Sequence, residues 1–400
     1  MAWDSPFDGM GYPKEHMEFA YSNGSDALAL TDHGNMNGLA YQVLHGKKMS
    51  QEGKDFKPIY GVEAYFIPSL SEWKAKKEEY DREKKEARKK SEDEAGGATV
   101  EDENASKSLI KNRVNRRRHM VLLARNQQGL NNIFQLISRS YTEECFYRYP
   151  RIDFEMLSQH SEGIVAASAC MGGVYAGDFW ENREEGPEAV LDAMRTTTKR
   201  MVEIFGDNWY GELQWNAIPE QHEINKHVIQ VCGEFGVQLI STADSHYPNP
   251  DAWKDRELYK RLGWLGKGTP SWAEGSELPD AVVEIGYELY PKNGDQMWES
   301  YKRYSEKCGV EYDDDLVLES IERTHQIANE KIEAFFPDNT VRLPDFVVPK
   351  GQTADRALIS QCIEALKKKG LAKDMEYVNR LKGELEAVSY THLRAHETDS

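Results

Sequence analysis

Short apolar runs that halt at acids and imidazoles recur along this chain, and they constrain its fold more than any other feature. Residues 27–38, ALALTDHGNMNG, run apolar through Ala27–Leu30 and stop at Thr31-Asp32-His33-Gly34. That pattern suits a buried strand delivering an acid and an imidazole at its C-terminal mouth, with Gly34 permitting a tight turn. A second run, 59–66, carries one carboxylate, Glu63, among apolar neighbours. A third, LISTADSH at 239–246, ends in Asp244-x-His246, and period-2 geometry puts both side chains on one side of a strand. Taken singly, an Asp-His at a strand end is more often a turn, and a lone Glu a solvated residue. Three such runs together describe a metal centre.

Helical spacing alternates with these runs. Helices are predicted at 13–22, 37–51, 127–141, 187–205, 219–235 and 252–262, and strands at 27–31, 56–67, 119–124, 163–169, 209–215 and 237–243. Strand followed by helix, repeated this often, is the grammar of a (β/α) barrel or a doubly wound sheet. In barrels the chemistry gathers at strand C-termini, where Asp32-His33, Cys170 and Asp244-x-His246 all fall. A charged tract at 71–118 reads as an exposed insertion, part helix and part disordered; its basic end, Arg116-Arg117-Arg118, could touch phosphate but reads first as a solvated face. Beyond 265 the grammar changes. Residues 266–279 read as a linker, 287–335 as mostly helical, and 356–369 and 375–388 as further helices, while LPDFVVPKG at 343–351 has too many turn-formers for one.

Composition excludes several classes. A net charge of −18 argues against coating nucleic acid by bulk electrostatics, although not against a local channel. Five widely spaced cysteines with no CxxC indicate neither a disulfide framework nor a zinc finger. No apolar run approaches the roughly 20 residues of a membrane span, so a cytoplasmic chain is expected.

At this point the motifs spell a family. TDHGNMNGLA, KPIYGVEAYF, RHMVLLARNQQGLNNIFQLISRSY, EGIVAASACMGG and ADSHY, in that order, resemble the PHP domain that opens the α subunit of bacterial family C replicative DNA polymerases. LPDFVVPKGQTAD and YVNRLKGELEAV resemble the segment leading toward that polymerase's palm. The resemblance implies an α/β fold: a distorted barrel of seven β/α units over 1–265, then a helical connecting segment over 266–387. It implies a site for up to three Zn²⁺, Mn²⁺ or Fe ions held by Asp8, His33, Glu63, His119, Cys170, Asp244 and His246, with Asp32 orienting His33. Two metals roughly 3.5–4 Å apart can generate hydroxide and stabilise the leaving oxygen of a phosphodiester. His16, His45, His160, His222, His227 and His325 carry no ligand expectation.

Two departures stand out. The family places a His-x-His pair on the first barrel strand, whereas this chain has no histidine before His16, so the first strand and two ligands are expected to be missing and the ions to bind weakly. Residues 387–398, AVSYTHLRAHET, match the in-frame reading of a transposase sequencing adapter, so 388–400 is set aside.

By resemblance the parent catalyses nucleotidyl transfer with two Mg²⁺ on palm aspartates outside this chain. Its partners are primer-template DNA, a sliding clamp and other replisome subunits. The barrel itself reads as a metal-dependent 3′–5′ proofreading exonuclease. The alternatives are a PHP phosphatase acting on a small metabolite such as histidinol phosphate, and a scaffold that braces the polymerase or a separate exonuclease subunit.

Overall fold

In a computed structural model, residues 8–93, 114–265, 287–338, 340 and 347–388 are described. The predicted 266–279 linker, residues 343–346 of the 343–351 segment, residues 94–113 of the charged insertion and the 389–400 tail lie outside them. Among the described residues one sheet of six strands forms, in chain order: β1 (Ala27–Leu30), β2 (Lys57–Phe66), β3 (Arg118–Ala124), β4 (Ile164–Ala167), β5 (Trp209–Leu213) and β6 (Gln238–Ser241). β1 and β6 are its edges among the described residues, and the sheet is open between them.

A regular (β/α) barrel is parallel throughout. Here β3 runs antiparallel to both β2 and β4, and the remaining pairs are parallel. That reversal brings the N-terminal end of β3 to the rim where the other strands have their C-terminal ends. His119, which opens its strand, therefore arrives beside residues that close theirs.

Register divides the two faces. Tyr60, Val62, Ala64 and Phe66 of β2 point outward with Met120 and Leu122 of β3, and are buried under surrounding helices. The helix Gln127–Ser140 presents Leu130, Ile133 and Leu136 to this layer, at the 3–4-residue spacing that makes one apolar stripe. The alternate residues, Ile59 of β2, Val165 and Ala167 of β4, Tyr210 of β5 and Ile240 of β6, point inward. They pack on Ile327, Ala328 and Ile332, which close the end of the barrel away from the site. The Lys57 ammonium fastens this plug by donating to the carbonyls of Ala328 (2.6 Å) and Ile332 (3.0 Å).

The helices Pro13–Ser22, Pro187–Phe205, Pro219–Phe235 and Met375–Val388 occur where the spacing predicts them. Two others were not read from sequence, Phe154–Gln159 and Val174–Asn182. The charged tract begins as a helix, Leu70–Asp93, anchored by the buried Trp73, whose indole N–H donates to the Val114 carbonyl.

The chain divides into two compact units, Met1–Asp338 and Asn339–Ser400. The connecting segment drawn at 266–387 is thus split. The helices Gly294–Cys308 and Asp314–Gln326 belong with the barrel, where Ser320 bonds Ser241 of β6 (2.7 Å) and the Arg323 guanidinium donates to the Leu239 carbonyl (3.0 Å). The second unit holds the helix Ala354–Lys368, capped by Thr353, and the helix Met375–Val388. Among the described residues no helix is long and apolar enough to cross a membrane.

Candidate metal centre

Three strand ends and two loops build the site. His33 follows β1 and forms a bridge with Glu63, whose carbonyl accepts from the Gly34 N–H (2.8 Å). Gly34 is required there: its φ is +66°, and a Cβ would come within 2.8 Å of the Tyr65 ring. Glu63 and Tyr65 share one face of β2, and Tyr65 pairs in register with His119 of β3. The loop after β6 carries Asp244 and His246, and the His246 N–H is tied to the Leu289 carbonyl (2.7 Å).

Among the described residues, two groups of three could each hold a cation: Asp8 with His33 and His246, and His33 with Glu63 and His119. In the first, Asp8 Oδ2 lies 3.5 Å from both His33 Nε2 and His246 Nε2. In the second, Glu63 Oε1 meets His119 Nδ1 at 2.6 Å, and Oε2 lies 3.6 Å from His33 Nδ1. His33 belongs to both groups, and neither of its buried ring nitrogens has a hydrogen-bond partner. Orphaned buried polar atoms are costly, and a cation would satisfy one of them. A neutral imidazole keeps a proton on its other nitrogen, so His33 serves one ion at a time.

Electrostatics match this reading. Burial disfavours a charged His33, but Glu63, Asp8 and Asp244 outweigh it and raise its pKa from an ordinary 6.5 to about 9. Burial opposes ionisation of Glu63 and Asp8 as well; the surrounding imidazoles, and for Asp8 also Arg256, hold both well below the usual carboxylate range. Without a cation the cluster is therefore a set of carboxylate–imidazolium contacts, in which protons stand where divalent cations would sit.

The remaining expected residues flank the two groups. Cys170 Sγ lies 3.8 Å from His119 Nδ1 and accepts from the Gly172 N–H (3.4 Å). Burial, with Asp244 and Glu63 nearby, pushes its thiol well above the usual value, a direction that an adjacent cation would reverse. Asp244 Oδ1 is 3.6 Å from His246 Nδ1. Asp32, fully buried, accepts from the Gly38 N–H (2.8 Å), so it braces the turn that follows His33.

The sequence reading missed three participants. Arg256 clamps Asp8 through bonds to its carbonyl and to Oδ1, both 2.7 Å. Glu212 on β5 is an acid in an apolar run, the same signal as Glu63. It accepts from the Ala169 N–H (2.9 Å) and the Thr242 hydroxyl (2.6 Å), and burial raises its pKa to about 7. Of its two partners, Ala169 is itself at positive φ (+61°) and Thr242 stands two residues before Asp244 (+46°), so one carboxylate ties the two strained loops carrying Cys170 and His246. The third is Arg117: the 116–118 run is no solvated face, since Arg118 is buried against Asp178 (2.7 Å) and Arg117 packs on two tyrosines. His16, placed on a surface turn, is also buried, bonded to the Met10 carbonyl (2.8 Å).

A cavity of about 570 Å³ opens below this rim, apolar along Ala29, Ile59, Val165 and Ile240 and acidic at Glu63, Glu212 and Asp244. The chain belongs to the PHP domain family, whose profile matches residues 4–216. It is similar to the DNA polymerase III subunit alpha of Aquifex aeolicus, 30% identical over 392 residues, which are 96% of this chain and 29% of that protein. The subunit of the same name from Deinococcus radiodurans is 32% identical over 55% of this chain and 13% of its own length. That from Borreliella burgdorferi is 29% identical over 80% and 22%. The chain thus spans under a third of each of these relatives.

Proposed function

We propose that this chain is part of a DNA polymerase III α subunit, and that its PHP barrel removes nucleotides from the 3′ end of a DNA strand with the help of divalent cations. The observation that carries the reading is His33, buried between two three-residue groups with both ring nitrogens unsatisfied. The likeness to polymerase α subunits, running through 96% of the chain, supports the polymerase part. In that reading nucleotidyl transfer, with its two Mg²⁺, belongs to other parts of the subunit. Primer-template DNA, a sliding clamp and other replisome subunits are its partners.

Asp8, His33, Glu63, His119 and His246 would hold the ions, with Cys170 and Asp244 at the margin; carboxylates suit Mn²⁺, imidazole suits Zn²⁺, and a thiolate favours Zn²⁺. When bound, such ions supply Lewis-acid polarisation of a phosphoryl oxygen and activation of water. The chain's own residues set the geometry. Arg256 fixes Asp8 from behind, Glu63 fixes the imidazole of His119, and Asp32 fixes the turn that aims His33. Glu212, with a pKa near 7 at the cavity wall, can hold or release a proton at neutral pH.

The test is metal analysis together with digestion of a 5′-labelled primer bearing a 3′ mismatch. Shortening that requires Mn²⁺ and stops in EDTA or in Glu63→Gln supports the reading. Hydrolysis of histidinol phosphate but not DNA would replace it with a metabolite phosphatase. Neither metal uptake nor cleavage would leave a scaffold.

A further inference from the structure

Arg117 sits where two tyrosine rings meet edge to face, their centroids 5.5 Å apart. Its guanidinium carbon lies 3.5 Å from the Tyr149 centroid and 4.6 Å from that of Tyr65. Tyr65 also walls the metal centre: its ring is parallel to that of His33, 6.2 Å away, and 5.4 Å from that of His119. Arg117 is thus one ring removed from both imidazoles.

Among the described residues its charge meets no carboxylate. Arg116 pairs with Glu181 (3.4 Å), and Arg118 with Asp178 and Glu181 (2.7 and 3.0 Å). Among the described residues no carboxylate lies within 4.0 Å of Arg117, and its buried Nε has no partner. Beside it Arg151, fully buried, spends its guanidinium on the carbonyls of Tyr147, Tyr149 and Val114 and likewise meets no carboxylate. In a chain of net charge −18, two neighbouring guanidiniums with no carboxylate partner among the described residues are out of place. Each disfavours the other unless an anion joins them.

We infer that Arg117, cornered by Tyr149 and Tyr65, binds a phosphate of a single-stranded DNA substrate adjacent to the phosphodiester presented to the metal centre. The inference rests on the phosphodiesterase reading and deepens it by naming the residue that takes a second phosphate of the strand. A guanidinium receives phosphate oxygens bidentately, and the half-buried Tyr149 ring offers a face on which a base stacks whatever its identity. A phosphomonoester metabolite has one phosphate, which the metal centre would engage; only a strand brings a second to Arg117. Local recognition of this kind reconciles a DNA substrate with an acidic protein.

The experiment measures binding of a fluorescein-labelled oligo-dT strand to the full chain by anisotropy, in EDTA, over a range of salt. Mn²⁺ binding is followed separately by calorimetry. Arg117→Ala should weaken strand binding about tenfold and reduce the slope of log K against log salt by about 0.7, the loss of one phosphate contact. Arg117→Lys should keep the slope and recover part of the affinity, and both variants should keep wild-type Mn²⁺ binding. Arg195→Ala, in a surface cluster with Glu188, Asp192 and Glu234, should change nothing. Unchanged affinity and slope in Arg117→Ala, or no strand binding by the wild type, overturns the inference. Strand binding that depends on Arg117 in a chain that takes up no Mn²⁺ supports the subsite and sinks the metal-dependent reading instead.

Discussion

Cation uptake by this barrel should displace a proton, and the size of the effect follows from His33. With a pKa of about 9, its imidazole is roughly nine-tenths protonated at pH 8, and an ion must expel that proton before the nitrogen can ligate. Relative to the neutral imidazole, the displacement costs about 2.7 kcal/mol at pH 7, a weakening of about 100-fold. Apparent affinity for Mn²⁺ should therefore climb about tenfold per pH unit from 7 to 9 and then level off. Calorimetry in buffers of different ionisation enthalpy reads the proton count directly, and about one proton per ion is expected at pH 7.5. The perturbation that isolates the cause is Glu63→Gln. Glu63 is the foremost charge holding His33 protonated against its burial, so the amide should let His33 become neutral at lower pH, shrinking both the proton release and the pH slope. Affinity should fall overall, because a ligand is also lost. A wild-type affinity that is flat across pH 7–9, or a Glu63→Gln chain that releases as many protons as the wild type, would refute the reasoning.

The same shifts set the stability of the metal-free chain. His33, raised when folded, stabilises fully below about pH 6.5 and loses that contribution as pH rises through about 9, whereas Glu63, lowered when folded, stabilises above its usual value and fails toward acid. Melting in EDTA should accordingly give a lower Tm at pH 9.5 than at pH 6.5, and a difference of opposite sign would contradict the assignment. Arg256→Ala frees Asp8 and should weaken Mn²⁺ binding several-fold with the fold retained by circular dichroism; unchanged binding would remove Asp8 from the ligand set. Gly34→Ala places a Cβ 2.8 Å from Tyr65 at φ +66° and should cost about 1–3 kcal/mol in chemical denaturation; a cost near zero would mean that this turn is not constrained.

Much of this site was legible because its residues interrupt apolar runs. Asp32-His33 and Asp244-x-His246 stand at strand ends, and Glu63 breaks an otherwise apolar strand, so covalent order alone marks them. Glu212 carried the same signal in WYGELQW, but one acid in a five-residue strand is indistinguishable from a solvated one until its neighbours close over it. His119 was harder for a topological reason. It opens its strand, and only the antiparallel insertion of β3 brings a strand beginning to a rim of strand ends. Arg117 was hidden by its own neighbours, since three arginines in a row read as one solvated patch, whereas the strand start buries Arg118 and turns Arg117 onto the tyrosines. The helices Phe154–Gln159 and Val174–Asn182 escaped because six and nine residues are too few for an amphipathic period to show. The packing of the helices Gly294–Cys308 and Asp314–Gln326 with the barrel carries no local mark in the sequence. Ser320 looks like any helical serine until it meets Ser241.

The most direct test of the central claim is anomalous scattering from crystals of the chain soaked in Mn²⁺. Density is expected within coordination distance of a His33 ring nitrogen, shared with Glu63 and His119 or with Asp8 and His246. Density elsewhere, or none at a Mn²⁺ concentration that saturates the calorimetric signal, would contradict it.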